Sequence, residues 1–170
     1  LLLDALATLN VPDLLFVIVP RHPQRFDAVA ELLRKRRIPF QRRSEEMPVA
    51  AATRVWLGDS MGEMFAYYGA ADVAILGGSL LPFGGQNLIE ACAMGTPVIL
   101  GPHTFNFAQA AEDALAAGAA LRVQNAAEAI STAARLLADP HRRQAMGEAG
   151  RRFAQAHRGA TDRTLALLGL

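Results

Sequence analysis

The chain has 170 residues, 52% of them hydrophobic and 19% charged, with a formal net charge of +1 at pH 7. That length supports one well-buried domain without covalent staples, and so small a charge gives no global attraction to nucleic acid. A single cysteine excludes a disulfide framework and a cysteine-rich zinc site, and no apolar run approaches the roughly 18 residues that cross a bilayer.

No signal-peptide pattern occurs, so a soluble, cytoplasm-facing domain is expected. The chain opens on Leu1 inside a helical pattern, which leads to the expectation of a single domain, 1–170, excised from a longer protein. After that apolar helix (Leu1 to Leu9), "LLFVIV" from Leu14 reads as a strand buried on both faces, and it ends in Pro20-Arg21-His22-Pro23. "FDAVAELLRKRR" has helical spacing. Its terminal Arg34, Lys35, Arg36 and Arg37, with Arg42 and Arg43 close behind, read as solvated cations at a helix end; an anionic membrane surface or partner is the alternative. "PFQRR" and "RVWLGD" follow as strands.

"SMGEMFAYYGAA" opens with Ser60 and Glu63 in capping-box spacing, which predicts a helix start. "DVAILGG" is a strand, "NLIEACAMG" a helix with Asn87 and Glu90 as a second cap pair, and "PVILG" a strand. Cys92, among Ala, Ile and Met, reads as a small core residue rather than a reactive thiol. A helix from about Phe107, the strand "ALRVQ", a helix capped by Asn125 and Glu128, and a helical run from His141 complete the chain, with Gly159 as a break or bend. Strand and helix alternate without repeats or linkers, the pattern of an α/β fold with a doubly wound, mainly parallel sheet. Such folds bind ligands at the carboxyl ends of their strands. The loops expected there are Arg21 to Pro23, Asp59 to Glu63, Gly78 to Asn87 and Gly101 to Asn106.

Neither the dinucleotide fingerprint nor a Walker lysine sequence is present, nor is a nucleophile elbow. No D-x-D pair or carboxylate–histidine spacing suggests a metal. The pair Gly84 and Gly85 ahead of a helix suits either a phosphate or a plain turn. Glu90 is either the partner of an Asn87 cap or an acceptor for two ribose hydroxyls. Glu63 has the same ambiguity, with Met61 and Gly62 beside it leaving room for a ligand. Arg21 is a surface cation or a bidentate partner for phosphate. His22 and His103 read as surface or core histidines.

Together "PRHPQRF", "GDSMGEM" and "ADVAILGGSLLPFGGQNLIEACAMGTPVILGPHTFNF" resemble the C-terminal domain of bacterial 3-deoxy-D-manno-octulosonic acid (Kdo) transferases. The resemblance runs over nearly the whole chain. It implies the Rossmann-like C-terminal half of a GT-B glycosyltransferase, with the acceptor domain absent. It also implies transfer of Kdo from CMP-Kdo to a lipid A precursor at the cytoplasmic face of the inner membrane, without a metal or other cofactor. Arg21 and Pro23, with His22 nearby, then fall in the donor loop, and Ser60, Met61, Gly62 and Glu63 near the nucleotide. Gly84, Gly85, Gln86, Asn87 and Glu90, in the loop that begins at Gly78, form the phosphate and ribose site. The family has His where this chain has Gln86, which cannot carry a proton, and Thr is common at Ser60. His103 and Asn106 match the family's loop without an assigned task. The catalytic base is expected in the missing N-terminal half, so the chain alone binds its donor better than it turns it over. Partners implied are CMP-Kdo, the lipid precursor, the chain's own N-terminal domain and a peripheral membrane contact, with no nucleic acid. A UDP-sugar epimerase or transferase of GT-B type and a non-catalytic nucleotide-binding module are the competing readings.

Overall fold

The computed structural model describes residues 1–7 and 11–157. The chain forms two compact units, one of residues 10–67 and the other of residues 1–9 and 68–170. Each is built on a three-stranded sheet whose pairs are all parallel.

In the 10–67 unit the strands are β1 (Phe16–Ile18), β2 (Phe40–Arg42) and β3 (Val55–Leu57), in the order β1-β3-β2. Val55 and Leu57 of the central strand are fully buried. The sequence predicts an equally buried β1, but Leu15 and Val17 are 37% and 36% exposed. A continuous apolar run shows that a strand forms and does not show whether both its faces are covered. Helix α2 (Phe26–Lys35) packs through Ala30 and Leu33. It ends where Arg37 turns left-handed at φ 54°, letting the Ile38 and Arg37 amides donate to the Leu33 and Arg34 carbonyls. Arg34 and Lys35 lie in its last turn near Glu31, solvated as the sequence predicts. Arg42 and Arg43 do not belong to that group, because both are held by carboxylates.

In the other unit β4 (Ala74–Leu76), β5 (Val98–Leu100) and β6 (Ala120–Arg122) run in that order, with β5 wholly buried. Around them lie α1 (Leu2–Leu6), α4 (Ile89–Met94), α5 (Ala108–Ala116), α6 (Ala126–Leu137) and α7 (Pro140–Ala156), while α3 (Met64–Ala70) carries the chain from one unit into the other. The predicted extension of the first helix to Leu9 and the Gly159 break lie outside the described residues. Asn125 caps α6 as predicted, its side chain accepting from the Glu128 amide at 3.0 Å, while a Glu128 carboxylate oxygen takes the Gln124 amide at 2.7 Å. The last helix starts one residue earlier than its pattern predicts, with Asp139 as cap and Pro140 in the first turn.

Cys92 is fully buried, and burial pushes its thiol up to about 11, so it is a core residue as expected. It lies on α4 where α7 crosses with glycines at the contact. A Cβ on Gly150 would lie 3.2 Å from the Cys92 carbonyl oxygen, and one on Gly147 only 2.4 Å from that of Gly95. The Gly147→Ala variant should therefore lose roughly 1–3 kcal/mol, the usual cost of overpacking. Thermal melts followed by circular dichroism check this, and a midpoint equal to wild type would show that α7 shifts freely.

Candidate functional site

At the carboxyl end of β4 the chain makes a 3-10 turn, Gly77–Ser79, and places Ser79 out of solvent. The Ser79 hydroxyl donates to the Leu76 carbonyl at 2.5 Å and accepts from the Gly101 amide at 2.7 Å. The Ser79 carbonyl accepts from the His103 amide at 2.9 Å. The loops leaving β4 and β5 are thereby joined at their roots. They are joined again at their tips, where the Asn106 amide donates to the Gly84 carbonyl at 3.1 Å and its Nδ2 to the Phe83 carbonyl at 3.2 Å.

Gly84 and Gly85 both have φ of 84°, left-handed backbone that side chains rarely adopt. A Cβ at Gly84 would also displace the Asn106 side chain, whose Nδ2 it would meet at 2.2 Å. The Gly85 amide is taken by the Gly78 carbonyl, and Gln86 Oε1 accepts from the Gly78 amide at 3.0 Å. Gln86 thus works here as a neutral acceptor that closes the turn. Phe83 and Phe105 flank the glycine turn, 67% and 63% exposed.

Asn87 is not an N-cap in this structure, because α4 begins two residues later with Leu88 at the cap position. Instead its Oδ1 accepts from the Ile89 amide at 3.1 Å, and its Nδ2 donates to Glu90 Oε1 at 3.0 Å. One carboxylate oxygen of Glu90 is therefore fixed in direction by a neighbour in the same turn. The geometry is neither of the two pure alternatives, helix cap or independent ligand, but a carboxylate aimed by an amide. Tyr68 lies close enough to respond to it: burial first, and then the Glu90 charge, push the phenol up to about 12.

In the 10–67 unit Arg21, His22 and Pro23 are exposed after β1, and Pro23 opens a short 3-10 turn in which the Arg25 amide donates to the His22 carbonyl. After β3 the predicted capping box does not form. Helix α3 starts at Met64, and the Ser60 hydroxyl donates to Glu63 Oε2 rather than capping a turn. Ser60 also meets the Tyr67 hydroxyl at 2.8 Å, and Arg43 Nη2 donates to Glu63 Oε1 at 3.0 Å. The Ser60 hydrogen bond, followed by Arg43, holds the Glu63 carboxyl below the usual carboxylate range. Both of its oxygens have partners, so Glu63 shapes the loop, and Met61 and Gly62 form its open part. Gly62 has φ of 79°, and a Cβ built on it would meet nothing within 4 Å.

The structure thus brings together Gly78, Gly84, Gly85, Gln86, Asn87, Glu90, His103 and Asn106 in one unit. In the other it brings together Ser60, Met61, Gly62 and Glu63, with Arg21, His22 and Pro23 on a separate loop of the same sheet. His103 enters through its main chain and Asn106 through both main chain and side chain. Sequence reading placed Asp59 and Ser79 in the expected loops and Arg43 among the cations but missed what each of them bonds to. Ser79 carried a usable signal, a small polar residue inside a Gly- and Leu-rich stretch; Arg43 was hidden in a run of cations. Among the described residues no three His, Cys, Asp or Glu side chains gather as metal ligands. A cleft of about 350 Å³ lies at the other end of the β4-β5-β6 sheet, before β4 and β5, between Asp72, Thr96, Arg143 and Arg151. Its arginines serve the fold: Arg143 donates to the Leu136 and Leu137 carbonyls at the end of α6, and Arg151 to Met94 at the end of α4.

Parallel strands with glycine-rich loops at their carboxyl ends and a glycine turn ahead of a short helix define an open α/β domain of the kind that binds ligands at that edge of its sheets. The chain belongs to the glycosyl transferases of group 1, whose family model matches residues 1–153. Its relatives there include the 3-deoxy-D-manno-octulosonic acid transferases of Bordetella pertussis, 57% identical, and of Haemophilus influenzae, 43% identical. Each match covers 92% of this chain and 37% of the relative, so the chain spans little more than a third of those proteins. The C-terminal CMP-Kdo binding domain of WaaA from Acinetobacter baumannii superposes with a TM-score of 0.85 at 34% identity, covering 91% of this chain and 81% of that one. The architecture is the Rossmann-like C-terminal half of a GT-B enzyme.

One charged group should be visible in the stability of the chain. Burial alone would raise the Asp59 carboxyl, but the hydroxyl and amide of Ser44 and the Arg42 guanidinium outweigh it and hold it below its ordinary value. A depressed carboxylate contributes stability above its unfolded pKa, and that contribution is lost as pH falls through the lowered folded value. The gap in melting midpoint between wild type and Asp59→Asn should therefore be full at about pH 6 and shrink from about pH 4 downward. A gap that stays constant down to about pH 2 would mean that the charge contributes nothing.

Proposed function

We propose that this chain is the donor-binding part of a Kdo transferase, holding CMP-Kdo for transfer of Kdo to a lipid A precursor in lipopolysaccharide biosynthesis. The work would take place at the cytoplasmic face of the bacterial inner membrane. No helix among the described residues is long and apolar enough to cross a membrane. The likeness to a domain named for CMP-Kdo binding supports the choice of donor. The observation that carries the reading in this chain is Glu90, whose carboxylate is oriented by Asn87 beside the Gly84-Gly85 turn.

Glu90 is proposed to accept from the ribose hydroxyls, a task that suits a group with two acceptor oxygens and no donor. The main chain of the glycine turn would meet the phosphate, where the absence of a Cβ permits close approach. Arg21, exposed on its own loop after β1, is proposed as a phosphate ligand on the sequence pattern alone, since a guanidinium can bind two phosphate oxygens at once. Contacts that strengthen as negative charge develops on the departing CMP lower the barrier to transfer. In this proposal no metal takes part, and the base that activates the acceptor hydroxyl belongs to the half of the enzyme outside this chain.

Calorimetric titration of the chain with CMP, dCMP, UDP and cytidine tests the reading. CMP should bind more tightly than UDP, with or without EDTA; a clear preference for UDP would overturn the choice of donor. Glu90→Gln keeps the acceptor for Asn87 but places an NH₂ opposite a ribose hydroxyl. It should weaken CMP by roughly 1–3 kcal/mol and erase most of the preference for CMP over dCMP, with an unchanged melting midpoint. An unaltered CMP-to-dCMP ratio would remove Glu90 from the ribose. Arg21→Ala should weaken CMP about tenfold or more and leave cytidine almost untouched; equal losses for both would assign Arg21 to the fold.

A further inference from the structure

The parallel strands of the 10–67 unit all begin at one edge of their sheet, and this amino edge collects exposed cations. Arg34, Lys35, Arg36 and Arg37 close α2 just ahead of β2, and all four are exposed. Arg54 stands exposed immediately before β3, and its amide donates to the Pro39 carbonyl at 3.0 Å, which joins the entries to the two strands. Among the described residues the acids of this edge are Asp13, ahead of β1, and Glu31. Glu31 lies 3.5 Å from Arg34 and 4.0 Å from Lys35, with every side chain more than half exposed, so these pairs hold the cations only weakly.

Charge is sorted differently at the carboxyl edge of the same sheet. There Arg42 is held by Asp59 and Asp27, and Arg43 by Glu63. A guanidinium bonded to a carboxylate of its own chain has less to offer an outside anion, whereas among the described residues no ion pair engages Arg37 or Arg54. Arg37 also stands where glycine would be easier. Its φ of 54° is the left-handed value on which helices commonly end with glycine, and the chain keeps a cation there at a conformational cost. Apolar surface accompanies the charge, since Leu32 in the last turns of α2 is 41% exposed and Pro39 is exposed just beyond it.

We propose that the amino edge of the 10–67 unit is a docking surface for an anionic lipid membrane, with Arg34, Lys35, Arg37 and Arg54 meeting headgroup phosphates and Leu32 as the apolar part of the contact. Long basic side chains reach phosphates spread over a plane without a fixed register, and a membrane interface also accepts the leucine. A single-stranded nucleic acid calls for exposed rings among the cations on which bases can stack. The rings that open β1 and β2, Phe16 and Phe40, are half-buried, and the Arg34 guanidinium lies over Phe40 at 5.6 Å. The loops after β1 and β3 lie at the other edge of the sheet, so lipid contact leaves them uncovered. This surface deepens the membrane placement given above and rests on it, without depending on the donor.

The 170-residue chain is sedimented with vesicles of phosphatidylcholine alone and of phosphatidylcholine and phosphatidylglycerol in equal parts. It should bind the mixed vesicles and not the neutral ones, and leave them as salt rises. Each cation removed from the edge should weaken binding about fivefold, so Lys35→Gln combined with Arg37→Gly should weaken it about twentyfold. Arg37→Gly also relieves the left-handed strain, so the melting midpoint should be no lower than that of wild type. Arg142→Gln combined with Arg152→Gln removes the same charge from exposed positions of α7 and should bind as wild type does. Equal losses in the two double variants would overturn the docking surface while leaving the membrane placement intact. A wild type indifferent to phosphatidylglycerol would overturn the surface and take from the membrane placement its support in this chain. Tighter binding of a single-stranded oligonucleotide than of the mixed vesicles would overturn the choice of lipid. Should the Lys35 and Arg37 double variant not fold, wild-type vesicle binding by Lys35→Gln alone would overturn the proposal instead.

Discussion

The Ser79 hydroxyl, buried and bonded on both sides, joins the end of β4 to the end of β5. The two loops that leave β4 and β5 hang from that junction. Main-chain polar groups buried in a loop must find partners inside it, and here the Ser79 hydroxyl and carbonyl supply them for Gly101 and His103. The junction leaves no room for a side chain at Gly101, where a Cβ would stand 2.3 Å from the Ser79 carbonyl oxygen. With the two loops held at that distance, Asn106 can bridge to Phe83 and Gly84 and fix the glycine turn in its left-handed form.

The carboxylates placed at the candidate ligand loops share a design. Glu90 is aimed by Asn87, Glu63 is bonded by Ser60 and Arg43, and Asp59 is enclosed by Arg42 and Ser44. The degree of enclosure differs and sorts their tasks. Asp59 has no side-chain surface left to offer and can act only on its own loop. Glu63 has both oxygens occupied. Glu90 has one oxygen directed by an amide, which is the arrangement wanted of an acceptor that must meet a ligand without reorganising.

At the opposite ends of β4 and β5 the same unit is closed by helix packing. There α7 lies against α4 through Gly147 and Gly150, and its Arg143 and Arg151 donate to carbonyls at the ends of α6 and α4. Cations at helix carboxyl ends satisfy acceptors that the helix itself leaves open and complement the dipole. A cleft with two arginines would invite an anion-site reading from its composition alone; the hydrogen bonds assign those side chains to helix ends.

Order and type of the elements were legible in the sequence, because runs of Val, Ile and Leu and amphipathic helical spacing are local properties of the chain. So were the loops at the carboxyl ends of the strands, since glycines, Asn and Glu cluster after predicted strands. The Asn125 cap was legible for the same reason: its partner Glu128 is three residues away. What the sequence could not decide was which polar groups meet across the fold. The cap read at Ser60 became a side-chain pair, and Asn87 takes the Ile89 amide while pairing with Glu90, because each helix starts later than its spacing suggests. Arg42 and Arg43, read as solvated, found carboxylates 17 and 20 residues away. The exposure of Val17 in a strand of buried type was likewise settled by what covers it. A hydrogen bond between distant residues depends on positions that no local pattern encodes, so the sequence by itself determined the elements and the loops, and the tertiary structure decided which side chains in each loop are tied to one another.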